Sequence, residues 1–191
     1  MAADRSSPQD LGRGARPRIG VSSCLLGEKV RFDGGHKWNA FLSQALGPQV
    51  EWVPVCPEVE LGLGTPRDTL HLERTGNGVR MVVTKTRRDL TDAMREFSAR
   101  RVAELAREDL SGYVLKANSP SCGMERVRVH TDDGERRTGR GLFAEELIAQ
   151  NPLLPVEEEG RLEDARIRED FIERVFAYHR LRYGPSPDGA G

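Results

Sequence analysis

Short apolar runs that stop abruptly alternate along this chain with longer stretches in which apolar residues recur every three or four positions. The first run, residues 18–23 in "RIGVSSCLLG", is β-prone and halts at Ser-Ser-Cys before Gly27, as a buried strand does. "RFDGGHK" turns on Gly34 and Gly35, and "WNAFLSQAL" then sets Phe41, Leu42, Ala45 and Leu46 at helical spacing before Gly47 and Pro48 close it. "VEWVPVCPEV" repeats the first pattern, a valine-rich run with a cysteine at its end, and predicts a second buried strand. After a Gly-rich loop, "LHLERTGNGVRMVV" predicts a hairpin, because Gly76, Asn77 and Gly78 separate two β-prone stretches. Across residues 90–107, Leu90, Met94, Phe97, Val102 and Leu105 form one apolar stripe with Arg and Glu on the other face, the mark of an amphipathic helix.

"SGYVLKANSPSCG" predicts a third strand ending in a cysteine, and the polar, Gly-interrupted "MERVRVHTDDGERRTGRG" a mobile loop or second hairpin over the site. "LFAEELIAQN" reads as a helix and "LLPVEEEG" as a fourth strand. "LEDARIREDFIERVFAYHRLR" reads as a closing amphipathic helix with Ile167, Phe171, Ile172, Val175 and Phe176 inward. Strands alternating with helices predict the α/β class: a single domain containing a parallel sheet of β-α-β units in Rossmann-like layering, with small hairpin insertions.

A length of 191 residues suffices for one such core. Its expected limits are 18–182, between a disordered arm over 1–17 and a disordered tail over 183–191, both rich in Pro, Gly, Ser or charge. The arm has no apolar segment of the secretory kind, and no run is long enough to span a bilayer, so no membrane partner is expected. A formal charge of −1 supplies no global field to hold a long nucleic acid. The Arg-rich loops "KTRRD" and "ERRTGRG" nevertheless keep RNA open as a partner. Neither phosphate-binding Gly-rich motif of ATP or dinucleotide sites occurs. His36, His71, His130 and His179 show no metal-binding spacing.

Three cysteines without an export signal argue against a disulfide framework and for a reducing, cytoplasmic setting. In parallel sheets ligands bind beyond the carboxyl ends of the strands, and Cys24, Cys56 and Cys122 each follow a predicted strand. They are therefore expected to meet at one edge as a three-thiolate cup. A cysteine is often simply a small buried hydrophobe, but a core role does not explain three placements at strand exits beside Ser, Pro, Glu or Gly. Thiolates select soft ions, which leaves zinc or an iron–sulfur cluster, and three protein ligands leave a coordination position open.

"CLLGEKVRFDGG", "PVCPEVELGLGTPRD" and "KANSPSCG", in that order over residues 19–155, together resemble the family catalogued as domain of unknown function 523, the TudS-type thiouracil desulfidases. The resemblance implies a [4Fe-4S] cluster on Cys24, Cys56 and Cys122 with the fourth iron free. It also implies a non-redox reaction in which the C=S of a thiouracil-type base, or of thiouridine monophosphate, becomes C=O with release of sulfide. It points to Glu58 and Ser119 as active-site residues.

The chemistry asks for a carboxylate to take a proton from water, and Glu58, close behind Cys56, is the first candidate. Ser119 can relay a proton or bind the pyrimidine edge. Asp33 is the alternative base and is grouped with the substrate-binding candidates. Arg67, Lys116, Asn118 and Ser121 complete that group as donors for a nucleotide phosphate. Two other readings stand beside the small-molecule enzyme: a desulfidase of thiouridine in RNA, and a non-catalytic three-cysteine metal protein.

Overall fold

A computed structural model describes residues 16–76 and 78–183. In chain order its regular elements are β1 (Arg18–Ser22), β2 (Glu51–Val55), the single-turn α1 (Pro57–Glu60), β3 (Leu70–Thr75), β4 (Gly78–Val83), α2 (Thr91–Leu105) and β5 (Leu110–Leu115). They continue with β6 (Val127–Thr131), β7 (Gly134–Gly139), α3 (Leu142–Gln150), β8 (Val156–Glu158) and α4 (Ala165–Tyr183).

One four-stranded sheet has the order β2-β1-β5-β8 with every pairing parallel. The chain leaves β1 for β2 on one side and later returns to β5 on the other. The carboxyl ends of β1 and β5 thus flank a topological switch point, the place where open α/β sheets open a binding crevice. Strand β5 is buried along its whole length, and its alternate residues face two separate cores. Tyr113 and Leu115 join the α2 and α3 side, with Met94, Phe97, Leu105, Phe143 and Leu147. Val114 joins Ile19, Val21, Leu42, Leu46, Phe171 and Val175 on the other. The Tyr113 ring lies across β1 at Gly20, where a Cβ would sit 2.2 Å from the ring, so only glycine fits there.

The two hairpins are not separate insertions. Strands β3 and β6 pair in parallel, Leu72 opposite Val129, and join them into a second four-stranded sheet of order β4-β3-β6-β7. Each hairpin alone would expose an apolar face, Leu72 and Met81 in one, Val127 and Val129 in the other. Joined, they bury all four residues against the α2 and α3 core. Of the two forms expected across residues 124–141, a mobile loop or a second hairpin, the hairpin is the one found, and β7 forms a sheet edge.

The helical stripes fold as expected, with α2 burying Met94, Phe97, Val102 and Leu105 and with Leu90 buried at its amino cap. In α4, Phe171 and Val175 are buried, Ile172 and Phe176 pack partly, and Ile167 is half-buried. Asp164 caps α4 by accepting the N–H groups of Arg166 and Ile167 at 2.8 and 3.2 Å. The expected helix after Trp38 is only one π-helical turn, Phe41–Leu46, followed by a 3-10 turn, Gly47–Gln49, because Gly47 and Pro48 end it once Leu42 and Leu46 are buried. Residues 1–15 of the expected arm, 184–191 of the expected tail and Asn77 of the first hairpin turn lie outside the described residues, while Tyr183 ends α4. No helix among the described residues is long and apolar enough to cross a membrane.

Candidate functional site

Each cysteine is brought to the switch point by a different local device. After β1 the chain makes a 3-10 turn, Ser23–Leu26, that carries Cys24, and Gly27 closes it at φ +96°. The Cys24 carbonyl then accepts the N–H of Lys37 at 2.8 Å, which folds the intervening loop back over the turn. Cys56 follows β2 directly and precedes α1, and its N–H is held by Glu60 Oε1 at 3.0 Å.

Cys122 departs from expectation. It does not stand at a strand end, because β5 stops at Leu115 and residues 116–121 intervene. Three groups of contacts from outside the loop carry it back. The first is the amino end of α3, whose unsatisfied N–H groups point into the loop: Leu142 N donates to Pro120 O, and Phe143 N and Ala144 N donate to Ser121 O, at 3.0 to 3.1 Å. The second is a pair of consecutive carboxylates at the end of β8. Glu158 Oε1 accepts Met124 N at 2.6 Å, and Glu159 accepts both Ala117 N at 2.6 Å and the Lys116 ammonium. The third is Ser22, whose Oγ accepts Lys116 N at 2.9 Å. Within the loop, Ser119 Oγ accepts the N–H groups of Cys122 and Ser121 at 3.0 and 3.3 Å. Gly141 lies so close that a Cβ would sit 2.4 Å from the Ser121 carbonyl.

The three cysteines line one cavity of about 380 Å³. Burial pushes the Cys24 thiol up to about 11, against the pull of the Lys116 ammonium. Burial raises Cys56 and Cys122 as well, with a hydrogen bond from Ser22 opposing the rise at Cys122. Cys24 and Cys122 each feel the Cys56 sulfur as a neighbouring charge, so the thiols form one electrostatic group. Thiolates buried side by side need a cation to be stable. Among the described residues, however, no three His, Cys, Asp or Glu side chains gather as ligands of one metal ion. Sulfurs on one zinc at about 2.3 Å must crowd together, whereas a cluster takes each thiolate on a different iron. Three cysteine sulfurs on one wall are the donor chemistry that an iron–sulfur cluster uses.

Glu58 sits in the first turn of α1 on the cavity wall, with only 13% of its side chain exposed. Its Oε2 accepts Arg67 Nε at 2.9 Å and Nη2 at 2.6 Å, and its Oε1 accepts the Ser121 hydroxyl at 2.6 Å. Ser121 Oγ lies 3.1 Å from Ser119 Oγ, which continues the chain of polar groups from the carboxylate to the Cys122 loop. The carboxylate from the Cys56 side therefore reaches a hydroxyl on the Cys122 side.

The expected phosphate donors are otherwise engaged. Arg67 Nη1 donates to the carbonyls of Val30 and Gly64 at 2.9 Å, so this arginine orients Glu58 and ties loops together. Lys116 lies on Glu159 and the Ala117 carbonyl, and Asn118, at φ +60°, accepts Arg137 Nη1 at 3.0 Å. Asp33 does not line the cavity. It accepts Gly35 N at 2.9 Å in an exposed turn, and that hydrogen bond holds its carboxyl below the usual range. Ser22, Glu158 and Glu159 escaped the sequence reading, although a run of glutamates closing a parallel strand marks groups that can reach the same edge. Phe32, Arg31 and Lys37 on the cavity wall escaped it too.

The chain is similar to known proteins over most of its length. The model of a family described as 2-thiouracil desulfurase matches residues 19–159. The uncharacterised protein YbbK of Bacillus subtilis (strain 168) is 33% identical over 129 residues, which span 65% of this chain and 85% of YbbK. The solved structure of a [4Fe-4S]-dependent thiouracil desulfidase, TudS, superposes with a TM-score of 0.63 at 28% identity, covering 81% of this chain and 99% of that one.

Proposed function

The chain belongs to the 2-thiouracil desulfurase family, and we propose that it is a [4Fe-4S]-dependent desulfidase of small thiopyrimidines acting in the cytoplasm. The observation that carries this reading is the common wall of Cys24, Cys56 and Cys122 with a partly buried, doubly anchored Glu58. Cys24, Cys56 and Cys122 would hold the cluster, which when bound would supply Lewis-acid chemistry toward a thiocarbonyl sulfur.

The chain's own residues supply the rest. Water attacks the thiocarbonyl carbon while Glu58 takes one of its protons, so the overall change is C=S plus H₂O to C=O plus H₂S with no net redox. Arg67 fixes the carboxylate with two N–H donors that converge on Oε2, so the carboxylate that takes the proton keeps its orientation. Ser121 contacts Glu58 directly and Ser119 stands one hydroxyl further on. Together they form a path for the proton toward the departing sulfur. The substrate is a thiouracil, free or as its nucleoside monophosphate.

Anaerobic reconstitution followed by iron analysis and a sulfide assay with 4-thiouracil tests the proposal. The expected result is about four irons per chain and substrate-dependent sulfide release. Glu58→Gln should lower kcat by about 10²- to 10⁴-fold while the iron content is retained. Stoichiometric zinc in place of iron would overturn the cluster, and full activity in Glu58→Gln would overturn the role of the carboxylate.

A further inference from the structure

Ser22 and Lys116 take no part in the proton path from Glu58, yet both line the three-cysteine cavity where the neighbouring strands β1 and β5 end. Ser22 closes β1 and is buried, and its Oγ accepts the N–H of Lys116, the residue that follows β5, at 2.9 Å. A serine hydroxyl has one proton to give. With its oxygen taken up by Lys116 N, that proton turns to a second acceptor, and Ser22 hydrogen-bonds the Cys122 sulfur.

The Lys116 side chain leaves the same point of the sheet and is held as firmly. Its ammonium donates to the Ala117 carbonyl at 3.0 Å and pairs with Glu159. Glu159 is itself fixed, since its N–H donates to Leu115 O at 3.1 Å and its Oε2 accepts Ala117 N at 2.6 Å. Only 17% of the lysine side chain and 13% of the glutamate are exposed, so the pair acts through protein more than through water. Of the charges that act on the Cys24 thiol, Lys116 is the strongest, and its pull outweighs the opposite push of Glu159. The pair thus turns its positive end toward the cysteines. Nearby charge and hydrogen bonds to the sulfurs are the levers a protein holds over an iron–sulfur cluster.

Resting on the cluster-dependent reading of this site, we propose that Ser22 and Lys116 are positioning residues that serve the cysteines rather than the substrate. The Ser22 hydroxyl fixes the Cys122 sulfur and draws electron density from it, while the Lys116 ammonium, held by Glu159, offsets the negative charge gathered at Cys24. The pairing of β1 with β5 sets both, because Lys116 lends its backbone N–H to the first and its side chain to the second. Lys116, which the sequence offered for a phosphate, is thereby spent on the cysteine wall.

The one-electron reduction potential of the reconstituted cluster, followed by electron paramagnetic resonance in a redox titration, reads both groups without turnover. A residue that only props the fold leaves this potential unchanged in whatever protein retains iron. Lys116→Met should lower the equilibrium constant for reduction about tenfold, a shift of about 59 mV, and Lys116→Arg should restore it. Glu159→Gln keeps an acceptor for Ala117 N and should move the potential the opposite way, so the charge is read even where Lys116→Met fails to load. Ser22→Ala should lower the potential as well and weaken iron retention against a chelator by about 10- to 100-fold, with Ser22→Thr close to the parent. A parent value in Lys116→Met, or no rise in Glu159→Gln, overturns the role of Lys116. A parent value in Ser22→Ala overturns that of the hydroxyl. A parent protein that holds about four irons and releases sulfide, with no variant shifted, leaves the desulfidase standing without these roles. The stated shifts in a protein that releases no sulfide would keep the roles and overturn the desulfidase.

Discussion

Cys56 and Cys122 reach the wall of one cavity by opposite means. Cys56 is placed by its neighbours in sequence: β2 ends, the cysteine follows, and α1 turns the chain away. Cys122 is placed by groups far along the chain, the first amides of α3 and the carboxylates of Glu158 and Glu159. A cysteine position built by a strand end is a property of the strand. A cysteine position built on a loop is a property of everything that grips the loop. Glu58 joins the two, since it rises from the Cys56 side and accepts a hydrogen bond from Ser121 beside Cys122.

This contrast can be broken most forcefully at Gly141. Alanine there places a carbon 2.4 Å from the Ser121 carbonyl and 2.8 Å from Cys122 N, so either the Cys122 loop or the start of α3 must move. Gly141→Ala is expected to cost about 1–3 kcal/mol in stability and to lower iron retention severalfold, read by denaturant unfolding and iron analysis after gel filtration. Next come the two carboxylates. Glu159→Ala leaves Ala117 N without its acceptor and the Lys116 ammonium with only the Ala117 carbonyl, and Glu158→Ala leaves Met124 N without its acceptor. Each should cost about 1–3 kcal/mol, and hydrogen exchange should show faster exchange confined to residues 116–126. The mirror experiment on the other side should do least. Glu60→Gln keeps an acceptor for Cys56 N and weakens only the pairing with Arg101, so a loss of about 1 kcal/mol or less and normal iron content are expected. A Glu60→Gln defect as large as that of Glu159→Ala would mean that Cys56 depends on tertiary contacts after all.

The same contrast explains what the sequence discloses. The strands, the long helices and the strand-exit positions of Cys24 and Cys56 are written in local periodicity, and so is the second hairpin. The parallel pairing of β3 with β6 is not, because nothing in "LHLERT" or "RVRVHT" specifies a partner so distant, and only the shared need to bury Leu72 and Val129 brings them together. Glu58 is legible from its place beside Cys56. The function of Arg67 is not, since a guanidinium reads equally well as a phosphate donor or as an anchor until its partners are known. Lys37 and Phe32 gave no periodic signal, because they lie in an irregular loop whose shape is set by hydrogen bonds to Cys24 and Arg67.

The dependence of Cys122 on the end of β8 bears on how the protein is made. Synthesis delivers Cys24 and Cys56 early, yet the third thiol has no fixed seat until Glu158 and Glu159 have been translated and β8 has docked against β5. A nascent or prematurely terminated chain thus carries all three sulfurs without their arrangement. Completion of the last strand is therefore the step that brings the third sulfur to the wall the other two already share.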